Sequence, residues 1–491
     1  MAQLHKLKAD KLGSVRSRSV LLTVGAITLY SYSVTQVQFN IDSIDCILGL
    51  TRILPASFWL ALILLTSAFA ILCFSSEGNN YLFFLQWSLL IVALWLTPFI
   101  IGGISVSQPC IAVAFSHFGT TEYIVRTGHS TPDMSFYLNW PGGMILGAVL
   151  TEILGINRPD LMLALTPFVL QFLYLFPLFL FLRNSLGEDK INHCWGAIWV
   201  FSLANWLLQN YYSSQAIAFV YFIFLLAILS KIAFWKENRN VLIYPLSLIL
   251  ILSCLTFTHL LTAIVSLTIV LGFRVINRIR TYALLMIGAV LIASWTMYIT
   301  ANFFEWRLPY VLENAFGITS LFQSVSVIGH TGSNAYQIGS LLRTLSVIYF
   351  LIIGFIGIIL GLKSKKKIHT DLTILIILIS SGIVTITLAL GYGGEILVRF
   401  YLFSLPAIPY FGTKLLNNKT GRPVFLVILL VALPLHFTSH YNRQAGYITP
   451  SHVAALHFFP NHMTQGLIIN DVKTELWKNQ EKYTYVRLPA D

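Results

Sequence analysis

The segment Phe118–Asp160, FGTTEYIVRTGHSTPDMSFYLNWPGGMILGAVLTEILGINRPD, decides how the chain is read. It lies between two long apolar runs, yet holds Glu122, Arg126, His129, Asp133 and Glu152. Such a segment is too polar to cross a bilayer and too apolar to leave its surface. Its second half, Pro141–Gly155, alternates small and apolar residues, as expected of a helix lying in the membrane interface. Loops held by a rigid bundle are where membrane enzymes can collect catalytic groups. The segment is therefore expected to form the floor of a candidate active site.

Outward from it, the composition sets the class. The 491 residues are 56% hydrophobic and 10% charged, with a mean hydropathy of +0.76, whereas soluble domains run near a quarter charged. Repeated apolar runs of spanning length imply an all-α polytopic membrane protein. The net charge of +12 needs no nucleic-acid partner, because cytoplasmic loops of membrane proteins collect Lys and Arg. Five scattered cysteines with no CxxC spacing read as small buried hydrophobes; a Cys46–Cys110 pair between outer loops stays open. The basic N-terminus, MAQLHKLKADKLGSVRSRS, precedes an apolar run with a poor cleavage site, so an uncleaved first helix starting in the cytoplasm is expected.

The apolar runs predict about thirteen spans. They are Val20–Ser33, Phe58–Phe74, Tyr81–Gly102, Leu161–Leu182, Trp195–Leu208, Ala216–Trp235, two short spans within Val241–Phe273 bent at Thr258–His259, Tyr282–Ala301, Ile338–Leu362, Leu372–Leu390, Phe400–Leu416 and Val424–Leu435. This arrangement puts 20 of the 31 Lys and Arg in inner segments, as the positive-inside rule requires. Counting Pro141–Gly155 as a span would invert every later loop and put KSKKK outside, so residues 104–160 are expected to be an outer loop with interfacial helices. The divisions follow: 1–80, N-terminal helices and first outer loop; 81–438, a transmembrane core with outer loops 104–160 and 302–337; 439–491, a short extracytoplasmic tail. A multi-pass protein of the plasma membrane is expected.

Charged groups cost roughly 2.5–3.5 kcal/mol at mid-bilayer, so they gather at span ends unless functional. Here the acids gather on the outer side, from Asp42 and Asp45 to Glu305, Glu313 and Glu395, and simple solvation explains many of them. Glu122 differs, lying close behind a span among aromatics in TEYIVRTGH. A carboxylate there suits a general base for an acceptor hydroxyl, or a ligand to a divalent cation. Asp133 precedes FYLNW, whose rings suit either sugar stacking or interface anchoring. Glu122 and Asp133 are the catalytic candidates and the only candidate ligands for a cation such as magnesium or manganese; His129 stands beside them. In GYGGEILVRFYLF, Glu395 and Arg399 stand four apart: either a simple ion pair, or a mouth where guanidinium grips phosphate oxygens in a bidentate fork. His259, at the tip of a hairpin in FTHLLTA, is an interfacial histidine or a second phosphate donor.

With these residues in place, the layout resembles the GT-C superfamily of integral-membrane glycosyltransferases, which includes oligosaccharyltransferases, protein O-mannosyltransferases and lipid A aminoarabinose transferases. The family pattern is an outer loop with an acid near its start, an interfacial helix opened by a Pro-Gly turn, and a short "lfG.n" phrase. Glu122-Tyr123, Trp140-Pro141-Gly142 and Ile153-Leu154-Gly155-Ile156-Asn157-Arg158 occupy those places. VRFYLFSLPAIPYF is similar to the Arg-Phe segment near the lipid phosphate in oligosaccharyltransferases. The resemblance covers about Tyr81 to Tyr410. It implies transfer of a sugar from a polyprenyl-phosphate-linked donor to a lipid or glycan acceptor at the outer face, with Arg399, His259 and Glu395 at the donor phosphate. The chain has Thr-Glu where the family often has Asp-Glu or Asp-x-Asp, which leaves metal dependence open, and Asp42-Ser-Ile-Asp45 is an alternative acidic motif. The WWD-type sequence of oligosaccharyltransferases is absent, which disfavours protein as acceptor. The competing readings are a transporter or flippase, which would place ionisable groups near the midplane, and a polysaccharide polymerase or ligase.

Overall fold

The computed structural model describes residues 2–39, 47–75, 78–103, 111–132, 136–155, 159–207, 210–234, 242–278, 282–302, 305, 334–364, 367–389, 396–441, 466–470 and 483–487. Helices α1 (Ala2–Gln36), α2 (Ala56–Phe74) and α3 (Asn80–Gly102) form the N-terminal layer. Buried polar groups clasp it: Ser19 Oγ donates to the Ala68 carbonyl at 2.8 Å, and Gln86 Nε2 donates to Ser19 and Thr23 hydroxyls at 2.9 Å. Helix α3 widens into a π turn over Val92–Leu96 just before Pro98. Proline has no N–H to give the carbonyl four residues back, and Tyr441 Oη donates to that Leu94 carbonyl at 2.9 Å instead.

The longer helices that follow are α6 (Pro159–Leu186), α7 (Ile191–Ala204), α8 (Ser214–Phe234), α9 (Ile243–Thr258), α10 (Leu260–Val275), α11 (Ala283–Tyr298), α12 (Asn334–Ser364) and α13 (Ile368–Ala389). The predicted span Phe400–Leu416 is instead broken into α14 (Ile396–Ser404), α15 (Ala407–Gly412) and a 3-10 turn; α16 (Gly421–Tyr441) follows. Pro406 and Pro409 explain the interruption, since neither can donate to a continuous helical ladder. Seven described helices are long and apolar enough to cross a membrane, and four more are apolar but shorter. Among the described residues seven helices thus meet the length and composition of a span. The chain is an integral membrane protein by those seven alone.

Helix α7 is the central strut, buried from Cys194 through Ala204. Phe69 stacks on Trp199 at 4.0 Å between ring centroids. The α7 end lies in the core, where the last carbonyls of a helix have no partner of their own. Side chains from three elements supply donors. His436 Nδ1 reaches the Leu203 carbonyl at 3.0 Å, Tyr401 Oη that of Ala204 at 2.9 Å, and His440 Nδ1 that of Trp206 at 2.7 Å. Asn210 Nδ2 donates to the carbonyls of Asn205, at 2.7 Å, and Leu207, at 3.2 Å. At the opposite end of the bundle, Asp371 is buried against Lys414 Nζ and Tyr410 Oη, each at 2.6 Å.

Among the described residues the fold is all-α as expected apart from one short strand pair in the tail, where β1 (Gly466–Asn470) and β2 (Tyr483–Arg487) run parallel, Gly466 opposite Tyr483. Cys73, Cys194 and Cys254 are free thiols; Cys46 and Cys110 lie outside the described residues.

Candidate active site

The helix expected within Pro141–Gly155 exists as α5 (Gly142–Leu154), but the preceding stretch, expected as loop, is helical too. Helix α4 (Ile111–Thr127) carries Glu122 and Arg126 and stops at Gly128, whose φ of +73° is a left-handed cap. Neither α4 nor α5 is of spanning length. The two pack together, and Tyr123 and Met144 are buried between them.

Glycine sets how closely α5 docks. A Cβ at Gly143 would meet Ser214 Cα at 2.8 Å; one at Gly142 would meet the Phe257 carbonyl oxygen at 3.0 Å; one at Gly147 would collide with the Tyr212 ring. The Pro-Gly-Gly opening and Gly147 thus press one face of α5 onto the ends of α8 and α9. The other face exposes Ile145, Leu146, Val149, Leu150, Ile153 and Leu154, the apolar side of an interfacial helix. Trp295 Nε1 on α11 donates to the Asn139 carbonyl at 3.0 Å, tying down the turn before α5.

Helix α4 is held by the segment between α7 and α8. Thr121 Oγ1 and Tyr212 Oη share a hydrogen bond at 2.6 Å, and the His117 and Tyr211 rings lie 5.9 Å apart. The buried amides of Gln171, Asn205 and Asn210 lock that segment, with Asn205 Nδ2 donating to Asn210 Oδ1 at 3.2 Å.

His259 sits at the break between α9 and α10. Its Nδ1 accepts from the Thr262 backbone N–H at 3.3 Å, capping α10. That contact fixes the neutral Nε2–H tautomer, leaving Nε2 as a donor. Arg399 and the buried, neutral His117 both lie within electrostatic range of this imidazole. Arg399 is half-buried on α14, where Tyr401, two residues on, is bonded to the α7 end. Side chains from α4 and α14 thus lie within electrostatic range of the α9–α10 break.

Glu122 is half-buried on the same helix as His117, five residues and about 7.5 Å further along the axis. Burial pushes its carboxyl up to about 7, and Arg126, one turn on, pulls it only partly back. Burial pushes the His117 imidazole down to about 3, so it is neutral. His129 is exposed, with Nδ1 2.9 Å from the Thr127 carbonyl. Of the five groups expected to converge, Arg399 lies within electrostatic range of His259 and Glu122 lies on the helix that carries His117; Asp133 and Glu395, like Asp42 and Asp45, lie outside the described residues. Among the described residues no three His, Cys, Asp or Glu stand together. A single carboxyl pushed toward its neutral form, beside Arg126, is a poor cation ligand on its own.

His117 was not singled out from the sequence. It stands inside an apolar run, where a histidine reads as filler, and its role depends on which helix ends meet it. Tyr211, Tyr212 and Asn210 were hidden likewise in QNYYSSQ, which reads only as a polar turn.

A helical integral membrane protein with polar groups between a short helix pair and the ends of longer apolar helices is the class these features define. No protein-family profile and no curated protein matches the sequence. Among solved structures the chain is similar to the Archaeoglobus fulgidus oligosaccharyltransferase. In the apo form the identity is 13% and the TM-score 0.47, covering 82% of this chain and 64% of that one. Tethered by a disulfide to an acceptor peptide with the NVT sequon, the values are 14%, 0.46, 80% and 62%. In complex with Zn and sulfate they are 12%, 0.45, 74% and 57%. The chain thus spans about six tenths of that enzyme's length, and at these scores the overlap is too loose to transfer residues or roles.

Proposed function

We propose that the chain is a membrane glycosyltransferase that moves a sugar from a polyprenyl-phosphate donor to a lipid or glycan hydroxyl on the extracytoplasmic face. One observation carries the reading: α4 holds a carboxyl pushed up to about 7 on the helix whose His117, like Arg399, lies within electrostatic range of His259. A base with a pKa near the working pH is the efficient one, and a guanidinium with a neutral imidazole N–H donor suits a phosphate.

In the reaction, the Glu122 carboxylate takes the proton of the acceptor hydroxyl. The hydroxyl oxygen forms a bond to the anomeric carbon as the bond from that carbon to the phosphate oxygen breaks, with inversion. The electron pair stays on the departing polyprenyl phosphate, whose charge Arg399 and the His259 Nε2–H stabilise. Asp133 and Glu395 are proposed at the acceptor and donor sides respectively. No step runs through a metal ion.

The test is a pair of variants assayed for transfer and donor binding. Glu122→Gln keeps the size and removes the charge, so turnover should fall by roughly 10²–10⁴ with donor binding little changed. Arg399→Lys should instead weaken donor binding, because an ammonium cannot reproduce the fork. Exposed Glu152→Gln is the control. Full transfer in Glu122→Gln, together with loss in Asp45→Asn, would move the catalytic acid to the first outer loop.

A further inference from the structure

At the other end of α6, about 35 Å along the helix from Asp160, α6, α8 and α9 line an open cavity of ≈ 260 Å³. Its lining includes Arg183 and Asn184 of α6, Lys231 of α8, Tyr244 of α9, and Glu188. It holds many times the space one water needs. We infer that this cavity binds the headgroup of an anionic phospholipid in the leaflet opposite the candidate site.

Two observations carry this independently of the proposed reaction. The first is charge: among the described residues the cations Arg183 and Lys231 line the cavity with one anion, Glu188. Arg183 Nη2 pairs with Glu188 at 2.9 Å through one edge of its guanidinium, and its Nε is buried without a partner among the described residues. Asn184 Nδ2 donates to the Ala227 carbonyl at 3.2 Å and to Ser230 Oγ at 3.1 Å, which pins α6 to α8 beneath the cavity. Both cations stand in the last turns of their helices, where they also answer the helix dipoles. A dipole alone, however, needs no cavity between them.

The second is the wall above. Val169, Leu173 and Phe176 form an exposed stripe down α6 at helical spacing, ending at Leu180 on the cavity. Ile243, Leu246 and Leu250 form a matching stripe on α9. Such walls suit acyl chains, and a basic pocket between spans at their foot suits a phosphate diester. An anionic headgroup satisfies both the cavity and the stripes, whereas a free phosphate would use only the cavity.

The experiment is native mass spectrometry of the full chain in detergent with added phosphatidylglycerol, phosphatidylcholine or glycerol phosphate. Phosphatidylglycerol should bind at least roughly tenfold more tightly than phosphatidylcholine, as expected for charge-assisted hydrogen bonds to one charged group. Arg183→Gln and Lys231→Gln should each remove that preference, and Lys419→Gln, an exposed cation elsewhere, should not. Glu188→Gln should strengthen the binding, a gain that misfolding cannot mimic. Equal binding of the two lipids, retention of the preference in the Arg183→Gln, Lys231→Gln double variant, or binding of glycerol phosphate as tight as that of the lipid would each overturn the inference.

Discussion

Gly147→Ala tests the docking of α5. In a helix free of contacts the change should stabilise by about 1 kcal/mol, since alanine is the better helix former. Here the new Cβ would stand 2.8 Å from Tyr212 Cζ, about 0.6 Å inside the 3.4 Å of ordinary contact, and nearer still to the hydroxyl. Overpacking of this kind costs about 1–3 kcal/mol. Displacing the Tyr212 hydroxyl from Thr121 forfeits a buried hydrogen bond worth roughly 1 kcal/mol. The net expectation is a loss of about 1–3 kcal/mol, read by unfolding of the purified protein. Tyr212→Phe removes the atom in worst collision, so the double variant should be more stable than the two single effects predict, by about 0.5–3 kcal/mol of coupling. A net gain near 1 kcal/mol for Gly147→Ala, with no coupling to Tyr212, would show that α5 is not seated on this surface.

Three further expectations concern charge and orientation. Because Glu122 must be ionised to act and burial holds it near 7, kcat/KM should climb with pH and level off above about 7. Arg126→Gln, by removing the neighbour that lowers this pKa, should move the limb to higher pH. The same raised pKa means that any stability from the protonated carboxyl is present at acid pH and lost as pH rises through 7. Glu122→Gln, permanently neutral, should therefore melt higher than the parent at pH 8 and no higher at pH 4; the reverse order would discredit the burial. A cysteine at exposed His129 should react with impermeant reagents on intact cells beyond the parent's background, and one at exposed Lys419 only after permeabilisation; the opposite pattern would invert the topology. Lys414→Met strands the buried Asp371 carboxylate and should cost about 3–5 kcal/mol in unfolding measurements.

What was legible in the sequence is what depends on local pattern. The interfacial helix followed from Pro141-Gly-Gly and the small–apolar alternation behind it, and the break at His259 from a polar pair inside an apolar run. Helix α4 was obscured because its first half reads as a broken span and its second half as a polar loop; only packing against α5 and Tyr212 makes it one element. The split of Phe400–Leu416 shows the opposite error, where hydropathy outweighed two prolines. The approach of His117 and Arg399 to His259 joins three distant parts of the chain, and no local pattern encodes such a juxtaposition.

The side-chain cap on α7 bears on how the protein is made. The carbonyls of Leu203, Ala204 and Trp206 receive donors that lie 233, 197 and 234 residues later in the chain. At roughly 5–20 residues per second of synthesis, those donors arrive on the order of ten to fifty seconds after the helix end itself. An unpartnered carbonyl in hydrocarbon costs several kcal/mol, so during that interval α7 is a poor candidate for release into lipid. It should instead wait in a hydrated or chaperoned setting until α16 is inserted, making the last helix the one that licenses the central strut to enter the bilayer.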